Sequence, residues 1–572
     1  MSDVKLSYFA LNQTRLPNHA LLAALALAVG ICVSTYVVQD ARHDSHATLY
    51  YLVLLHLAVL PQLLLYWRKN SALGPSEFRL PPIHWIAVLV FAGVAVAAGK
   101  TAEHGKMISD ESSYMFQARI FAARKLKAEP MLFGVGNISP DRIEREVPEI
   151  YFENTVQTTS GFFCKYPPGW PLILAVGYLV KCPWLVNPVL GLLQLMLTWV
   201  LARAWTRNTQ ILAILIAASS PYMFISSVGF MPHAAEASIC LSALFCLLKG
   251  VREKRMGWII LCFSLVAAST LVRPYTGAVL GLVCTAISIH GLWSQRRLLL
   301  GLLIIVAAGG AFAIAGFLMV NWLFTGDAFL SPYALFRGQR HISELTLNPL
   351  QISHNIISIW RWAVMDTVRV TFPFMFLFAL YGVWNERKNR NELVYLALAF
   401  PALVAAYALQ SEPSASFDGE RYYFEGFCAI AIVAARGFEL FLSDRKVSLT
   451  KAASAGIPLL ILQATLLLFT IRDVETVLKP YRESYELALS DPPASLVFIS
   501  GNAPRFFQAK HLNWNQADWR ASSTIYLIDP GSDRRVEVSC RFGRHSYRLV
   551  QYDATSNKLA KADTSVNCTG PP

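Results

Sequence analysis

Two adjacent carboxylates, Asp110 and Glu111, stand in the run Ile108-Ser109-Asp110-Glu111-Ser112-Ser113-Tyr114, just past the end of an apolar segment. Ionisable side chains at the mouth of a membrane helix are costly to place, so such a pair marks a functional site by default. A carboxylate there suits a reaction in which a hydroxyl or amine gives up its proton. It equally suits one in which a divalent metal (Mg, Mn or Zn) is held beside a leaving phosphate, with Asp110 as the ligand. A structural role is open too, since acids favour helix N-termini and Asp110 could cap the helix that follows.

Three cations have matching positions. Lys165 opens Lys165-Tyr166-Pro167-Pro168-Gly169-Trp170-Pro171, Arg273 lies in Leu271-Val272-Arg273-Pro274, and Arg421 begins Arg421-Tyr422-Tyr423-Phe424. Each sits at the end of an apolar stretch, where a phosphate is a natural partner. The rival readings are a snorkelling lysine and a local pair between Arg421 and Glu420. His233 and Glu236, three apart near the start of a span, share a helix face and could bind sugar hydroxyls or a metal. Alternatively, His233 is a helix-end histidine satisfied by backbone. Tyr114 and Tyr166 could stack on a sugar or lipid in the same pocket, although membrane interfaces favour aromatic residues in any case.

The elements that must position these residues are membrane helices. Of 572 residues, 55% are hydrophobic and only 15% charged, where soluble domains carry about a quarter. Repeated apolar runs of roughly 20 residues make the chain an all-α polytopic membrane protein. Its net charge of +13 falls largely in short loops between spans, so it reports topology through the positive-inside rule and excludes nucleic acid as the partner. No Cys/His spacing suggests zinc. Cys540 and Cys568 lie in the polar tail and could pair if that tail faces an oxidising compartment.

Two spans are expected within residues 1–82, at about His19 to Val38 and Thr48 to Trp67, followed by a third at about Ile83 to Ala98 that delivers Asp110 and Glu111 to the outer face. Residues 100–167 form an outer loop that opens with an interfacial helix. Tyr114, Met115, Ala118, Phe121 and Ala122 lie on its apolar face; Ser113, Gln117, Arg124 and Lys127 lie opposite. Pro167 to Val180 is short for a span. Basic clusters then mark inner loops at Arg203/Arg207, Lys249–Arg255, Arg296/Arg297, Arg387–Arg390 and Arg445–Lys451. Every turn between them falls on the side of Asp110. The total is about 13 spans. A helix at Val474–Leu489 and strands at Ser495–Ser500, Thr524–Ile528 and Ser546–Tyr552 give residues 473–572 the look of a small α/β extracytoplasmic domain, leaving 83–472 as the transmembrane catalytic region.

In this order, Asp110-Glu111-x-x-Tyr114, Lys165-Tyr166-Pro167-Pro168-Gly169-Trp170-Pro171, Ser220-Pro221-Tyr222, Gly229-Phe230-Met231-Pro232-His233, Leu271-Val272-Arg273-Pro274, Asn321-x3-Thr325-Gly326 and Arg421-Tyr422-Tyr423-Phe424 resemble the GT-C superfamily. The similarity is to its protein O-mannosyltransferase and aminoarabinose-transferase type and covers most of residues 80–445. The resemblance implies an inverting glycosyltransferase that takes a hexosyl or pentosyl group from a polyprenyl-phosphate donor. Asp110 would act as base or metal ligand with Glu111 as its partner, and Lys165, Arg273 and Arg421 would hold the donor phosphate. Lys165 occupies the place of the lysine that contacts lipid phosphate in the aminoarabinose-transferase type. A glycolipid, glycan or protein acceptor and a bacterial inner membrane location, with the site on the periplasmic side, follow from the same likeness. The two extra N-terminal spans and the short tail depart from it, which bears on the acceptor. Two other classes remain: a lipid-linked sugar flippase, which should line a path through the bilayer with charge and lacks inverted repeats here, and an O-antigen ligase or polymerase, which would use Arg337, Arg340 and His341 in the loop at 323–360.

Overall fold

A computed structural model describes residues 84–568 apart from 104, 107, 132–139, 339–347, 358–374, 411–420, 446–448, 492, 504–506 and 554–557. The two spans expected before residue 82, together with Arg340, His341 and Glu420, lie outside the described residues. The chain divides into two units, Met1–Phe78 with Leu442–Thr465, and Arg79–Phe441 with Leu466–Pro572. Of the first, the described backbone is helical and consists of the ends of the Phe427–Asp444 and Leu449–Leu489 helices. The second carries the candidate site.

Among the described residues, six helices are long and apolar enough to cross a membrane: His84–Ala102, Pro183–Ala202, His233–Glu253, Pro274–Leu292, Arg296–Thr325 and Arg421–Asp444. A seventh crossing results if Arg207–Ala218 and Pro221–Val228, bent by 60°, act as one. That bend follows from Ser220-Pro221. Pro221 fits only the first turn of a new helix, and the Ser220 hydroxyl accepts the Tyr222 N–H at 3.2 Å. Pro274 does the same between Met256–Val272 and Pro274–Leu292: the residue before it is driven into extended backbone, leaving Arg273 at the apex of the helical hairpin. His233–Glu253 and Arg421–Asp444 are the innermost helices. Arg296–Thr325 is almost entirely uncovered, with Leu303, Ile304, Phe312 and Ile314 exposed as a lipid-facing helix requires.

Where the Met375–Asn385 helix meets Arg421–Asp444, both present glycine. A Cβ on Gly437 would stand 1.7 Å from the Phe378 carbonyl oxygen, and one on Gly382 would stand 3.0 Å from the Gly437 Cα. Small residues permit this approach of backbones. Gly437→Ala is therefore expected to destabilise the protein by about 1–3 kcal/mol or more. The change would be read as a lower melting temperature in detergent, whereas an unchanged melt would show that the helices can part without penalty.

The outer layer is built from the loop and the tail together. The Ser109–Ala122 helix is not a half-solvated interfacial helix: Ser113 and Gln117, expected on a polar face, are as buried as Tyr114 and Met115. Gln117 spans the loop instead, its amide donating to the Leu126 carbonyl and accepting the Cys164 N–H, each at 3.0 Å. The loop returns through an antiparallel hairpin, Thr155–Thr158 with Gly161–Cys164. In the tail, strands run over Leu496–Ser500, Ile525–Ile528, Ser546–Asp553 and Lys558–Ser565. They form one sheet with Leu496–Ser500 between Ile525–Ile528 and Ser546–Asp553, parallel to both, and Lys558–Ser565 antiparallel at the edge. The helix before the sheet is continuous with the preceding apolar stretch, over Leu449–Leu489, rather than a separate element. Alternating buried residues on these strands meet the loop in one core, where Phe116, Phe152 and Phe162 pack with Leu496, Phe498 and Ile525. Cys540 and Cys568 form a disulfide in the same layer.

Candidate active site

One end of the inner helices, the Ser109–Ala122 helix and the hairpin enclose a cavity of about 610 Å³. Of the residues expected in the site, Asp110, Tyr114, Lys165, Tyr166, His233, Arg273 and Arg421 all line it. Glu111 and Glu236 do not.

Asp110 lies in the first turn of its helix, but the N-cap is Ile108, with no side-chain capping bond. The carboxylate is used across the cavity wall. Oδ1 accepts from Asn154 Nδ2 at 3.0 Å and Oδ2 accepts from Arg421 Nη2 at 3.2 Å. Asn154 holds a left-handed backbone conformation (φ 62°), which asparagine tolerates better than most residues, and it carries this bond from the start of the hairpin. Asp110 thus remains 16% exposed, at the positive end of a helix and beside a guanidinium. Glu111 points the other way. It is buried, its Oε1 accepting the Phe230 N–H at 2.7 Å, and it pins the turn before His233 rather than sharing the cavity.

Lys165 is 7% exposed, and three rings surround its ammonium: Phe336 at 4.3 Å, Tyr333 at 4.8 Å and Tyr166 at 4.9 Å. Such a cage stabilises a cation that has lost most of its water. Burial still pulls the Lys165 ammonium below its ordinary value, with Arg337 adding to the effect and Asp110 opposing it. Tyr114 stacks on Tyr166 at 4.7 Å, so both belong to the wall.

Arg273 is held in a buried ionic cluster. Its Nη1 donates to Glu425 Oε1 and lies 2.7 Å from His233 Nδ1, its Nη2 donates to the Tyr407 hydroxyl at 3.0 Å, and its guanidinium lies over the Tyr407 and Tyr422 rings. His233 therefore works with Arg273 and Glu425 and not, as the three-residue spacing suggested, with Glu236. Glu236 is turned into the helix packing, where it accepts from Ser269 Oγ. Sequence reasoning also missed Glu153, Asn154, Tyr333, Tyr407 and Glu425. No spacing marks them, because they come from segments far apart in the chain. Arg337 was singled out only for the ligase reading, yet it lines this same cavity.

No protein-family model matches the chain, and no curated protein does. Solved structures match. ArnT from Cupriavidus metallidurans bound to undecaprenyl phosphate superposes with a TM-score of 0.51 at 13% identity, over 83% of this chain and 94% of that one. The chain shares the fold of that ArnT structure. The Archaeoglobus fulgidus oligosaccharyltransferase in the apo form (TM-score 0.40, 12% identity, 81% of this chain and 69% of that one) and the arabinosyltransferase EmbB from Mycobacterium smegmatis (0.34, 16%, 79% and 47%) match as well. The cavity lies at one end of the spans, between the helices and the loop that carries Asp110 and Lys165. Among the described residues, no three His, Cys, Asp or Glu side chains gather to hold a metal. Of the side chains expected to serve a metal, Glu111 is bound to backbone and His233 to Arg273 and Glu425, which leaves Asp110 of that set facing the cavity.

Proposed function

We propose that the protein is an inverting membrane glycosyltransferase that moves a sugar from a polyprenyl-phosphate donor to a hydroxyl or amine of a glycolipid, glycan or protein at the outer face of the membrane. The observation that supports it most is the placement of one carboxylate, Asp110, opposite Lys165 and Arg337 in a single cavity at the ends of the spans. The lipid phosphate would rest against Lys165 and Arg337, with Arg273 and Arg421 adding positive potential. Asp110 takes the proton of the acceptor as its oxygen or nitrogen bonds to the anomeric carbon. The bond from that carbon to the phosphate oxygen breaks on the opposite face, and the phosphate leaves with the electron pair, stabilised by the cations in a partly desolvated site.

The remaining expectations belong to this reading. About 13 spans, residues 1–82 included, would put the tail outside, and residues 473–572 would be an extracytoplasmic α/β domain over the site. The Cys540–Cys568 disulfide supports an oxidising compartment such as the bacterial periplasm. The test is transfer from a radiolabelled panel of polyprenyl-phosphate hexoses and pentoses by the purified protein in vesicles. Turnover with at least one donor is expected. Movement of donor between leaflets without turnover would replace the enzyme by a flippase.

Lys165 gives the reading a pH signature. Burial lowers its value, so the ammonium is lost at a lower pH than for an ordinary lysine. Affinity for undecaprenyl phosphate, measured where a phosphate monoester already carries both charges, should therefore fall with rising pH before an ordinary lysine, at about 10.4, would titrate. Lys165→Arg should remove the fall, because a guanidinium does not titrate there. A flat profile in the wild type would take Lys165 out of phosphate binding.

A further inference from the structure

The cavity holds a second carboxylate. Glu153 lies where the loop enters the Thr155–Thr158 strand, and the hairpin register fixes what stands beside it. Thr155 pairs with Cys164, and one step further on the Lys165 N–H donates to the Asn154 carbonyl at 3.2 Å. Glu153 is therefore one residue beyond the backbone partner of the caged lysine. Both side chains line the cavity, and the Glu153 carboxylate acts electrostatically on the Lys165 ammonium.

The tail sets the position of Glu153. Its N–H donates to the Lys510 carbonyl at 3.0 Å, Oε2 accepts from His511 Nε2 at 2.8 Å, and Lys510 Nζ lies 3.5 Å from the same oxygen. The tail segment that supplies these groups is itself fastened to the catalytic helix region. Lys106 donates to the His511 carbonyl and to Ser112 Oγ, Ser112 Oγ accepts the Asn513 N–H at 3.2 Å, and Arg119 donates to the Asn513 and Asn515 carbonyls. Burial alone would raise the Glu153 carboxyl, but His511 and Lys510 bring it below its ordinary value, so it is ionised at neutral pH. Asp110 spends both oxygens on Asn154 and Arg421, whereas the contacts of Glu153 among the described residues fall on Oε2. The Glu153 side chain remains 27% exposed and lines the cavity.

We infer that Glu153 is a specificity-determining residue that hydrogen-bonds hydroxyls of the donor sugar, and that His511 and Lys510 hold it in place, which makes the tail part of the sugar site. The inference rests on the glycosyltransferase reading for the identity of its ligand, a sugar joined to a lipid phosphate. A carboxylate suits this task because it accepts from hydroxyls in charge-assisted bonds, roughly twice as strong as neutral ones.

The test compares binding of bare undecaprenyl phosphate with binding of undecaprenyl-phosphate hexoses and pentoses to the full-length protein in lipid nanodiscs. Wild type should bind at least one sugar-bearing lipid more tightly than the bare one. Glu153→Ala should remove that gain, by roughly tenfold or more, and leave affinity for the bare lipid no lower than in the wild type, which also shows that the cavity is folded. Glu153→Gln, which keeps the shape and loses the charge, should fall between the two. A sugar-dependent gain that survives in Glu153→Ala overturns the inference, as does a wild type that gains from no sugar in the panel. Failure of the glycosyltransferase reading shows separately, as absence of turnover in the transfer assay.

Discussion

Asp110→Asn is expected to lower sugar transfer by roughly 10²–10⁴-fold, the range for removing a general base, without loss of lipid-phosphate binding. The substitution is nearly isosteric. The amide oxygen can keep the Asn154 contact at 3.0 Å, and only the proton-accepting charge and the attraction to Arg421 are lost. Because Asp110 lies at the surface of the cavity rather than in the helix core, the melting temperature should move little. Transfer would be measured with whichever donor turns over in the wild type, at saturating acceptor, and binding with bare undecaprenyl phosphate. A variant that retains activity within about threefold would show that the acceptor proton goes elsewhere, and Glu153 would be the next residue to remove. A variant that loses lipid binding along with transfer would assign Asp110 to holding Arg421 in place. The companion change Glu111→Gln separates the pair: Glu111 supports the Phe230 turn from a buried position, so its loss should appear in stability before chemistry.

The limits of the sequence can be traced through these same residues. Membrane class and the gathering of Asp110, Lys165, Arg273 and Arg421 at one cavity were legible because charge in an apolar chain is conspicuous and each cation stands at the end of an apolar run. The breaks at Ser220-Pro221 and Arg273-Pro274 were legible for a local reason, since proline dictates backbone on both of its sides. What could not be read was direction. Asp110 and Glu111 are neighbours, yet helical geometry turns them about 100° apart, given 3.6 residues per turn, so one faces the cavity and the other the packing. His233 and Glu236 share a face by spacing, but the partners that decide their roles, Glu425, Arg273 and Ser269, come from other helices. The burial of Gln117 was hidden for a related reason. Its expected solvent face is covered by the returning loop, where it bonds Leu126 and Cys164, and no helical periodicity records that. Glu153 was missed altogether, because its environment is made by His511 and Lys510 and its own neighbourhood in the sequence is unremarkable.

The Arg273 cluster makes the second large prediction, and its two consequences have opposite signs. Glu425 is fully buried and Arg273 is 11% exposed. Glu425→Gln leaves the guanidinium with only His233, the Tyr407 hydroxyl and two ring faces in a largely dry environment. Breaking a buried pair from one side typically costs about 3–5 kcal/mol, because the remaining charge is uncompensated. Glu425→Gln should therefore melt well below wild type in detergent. The double variant Arg273→Met/Glu425→Gln, which removes both charges, should recover much of the loss, since apolar groups of similar size often replace such pairs without penalty. In the single variant that remains folded at low temperature, the positive charge formerly neutralised by Glu425 now acts on the cavity that Arg273 lines. Affinity for undecaprenyl phosphate should rise there even as stability falls. A merely loosened protein would lose both. If Glu425→Gln changes neither melting nor lipid binding, Arg273 is not governed by Glu425. If stability falls and affinity does not rise, Arg273 is a structural cation that braces His233 and the helical hairpin, and the donor phosphate depends on Lys165 and Arg337.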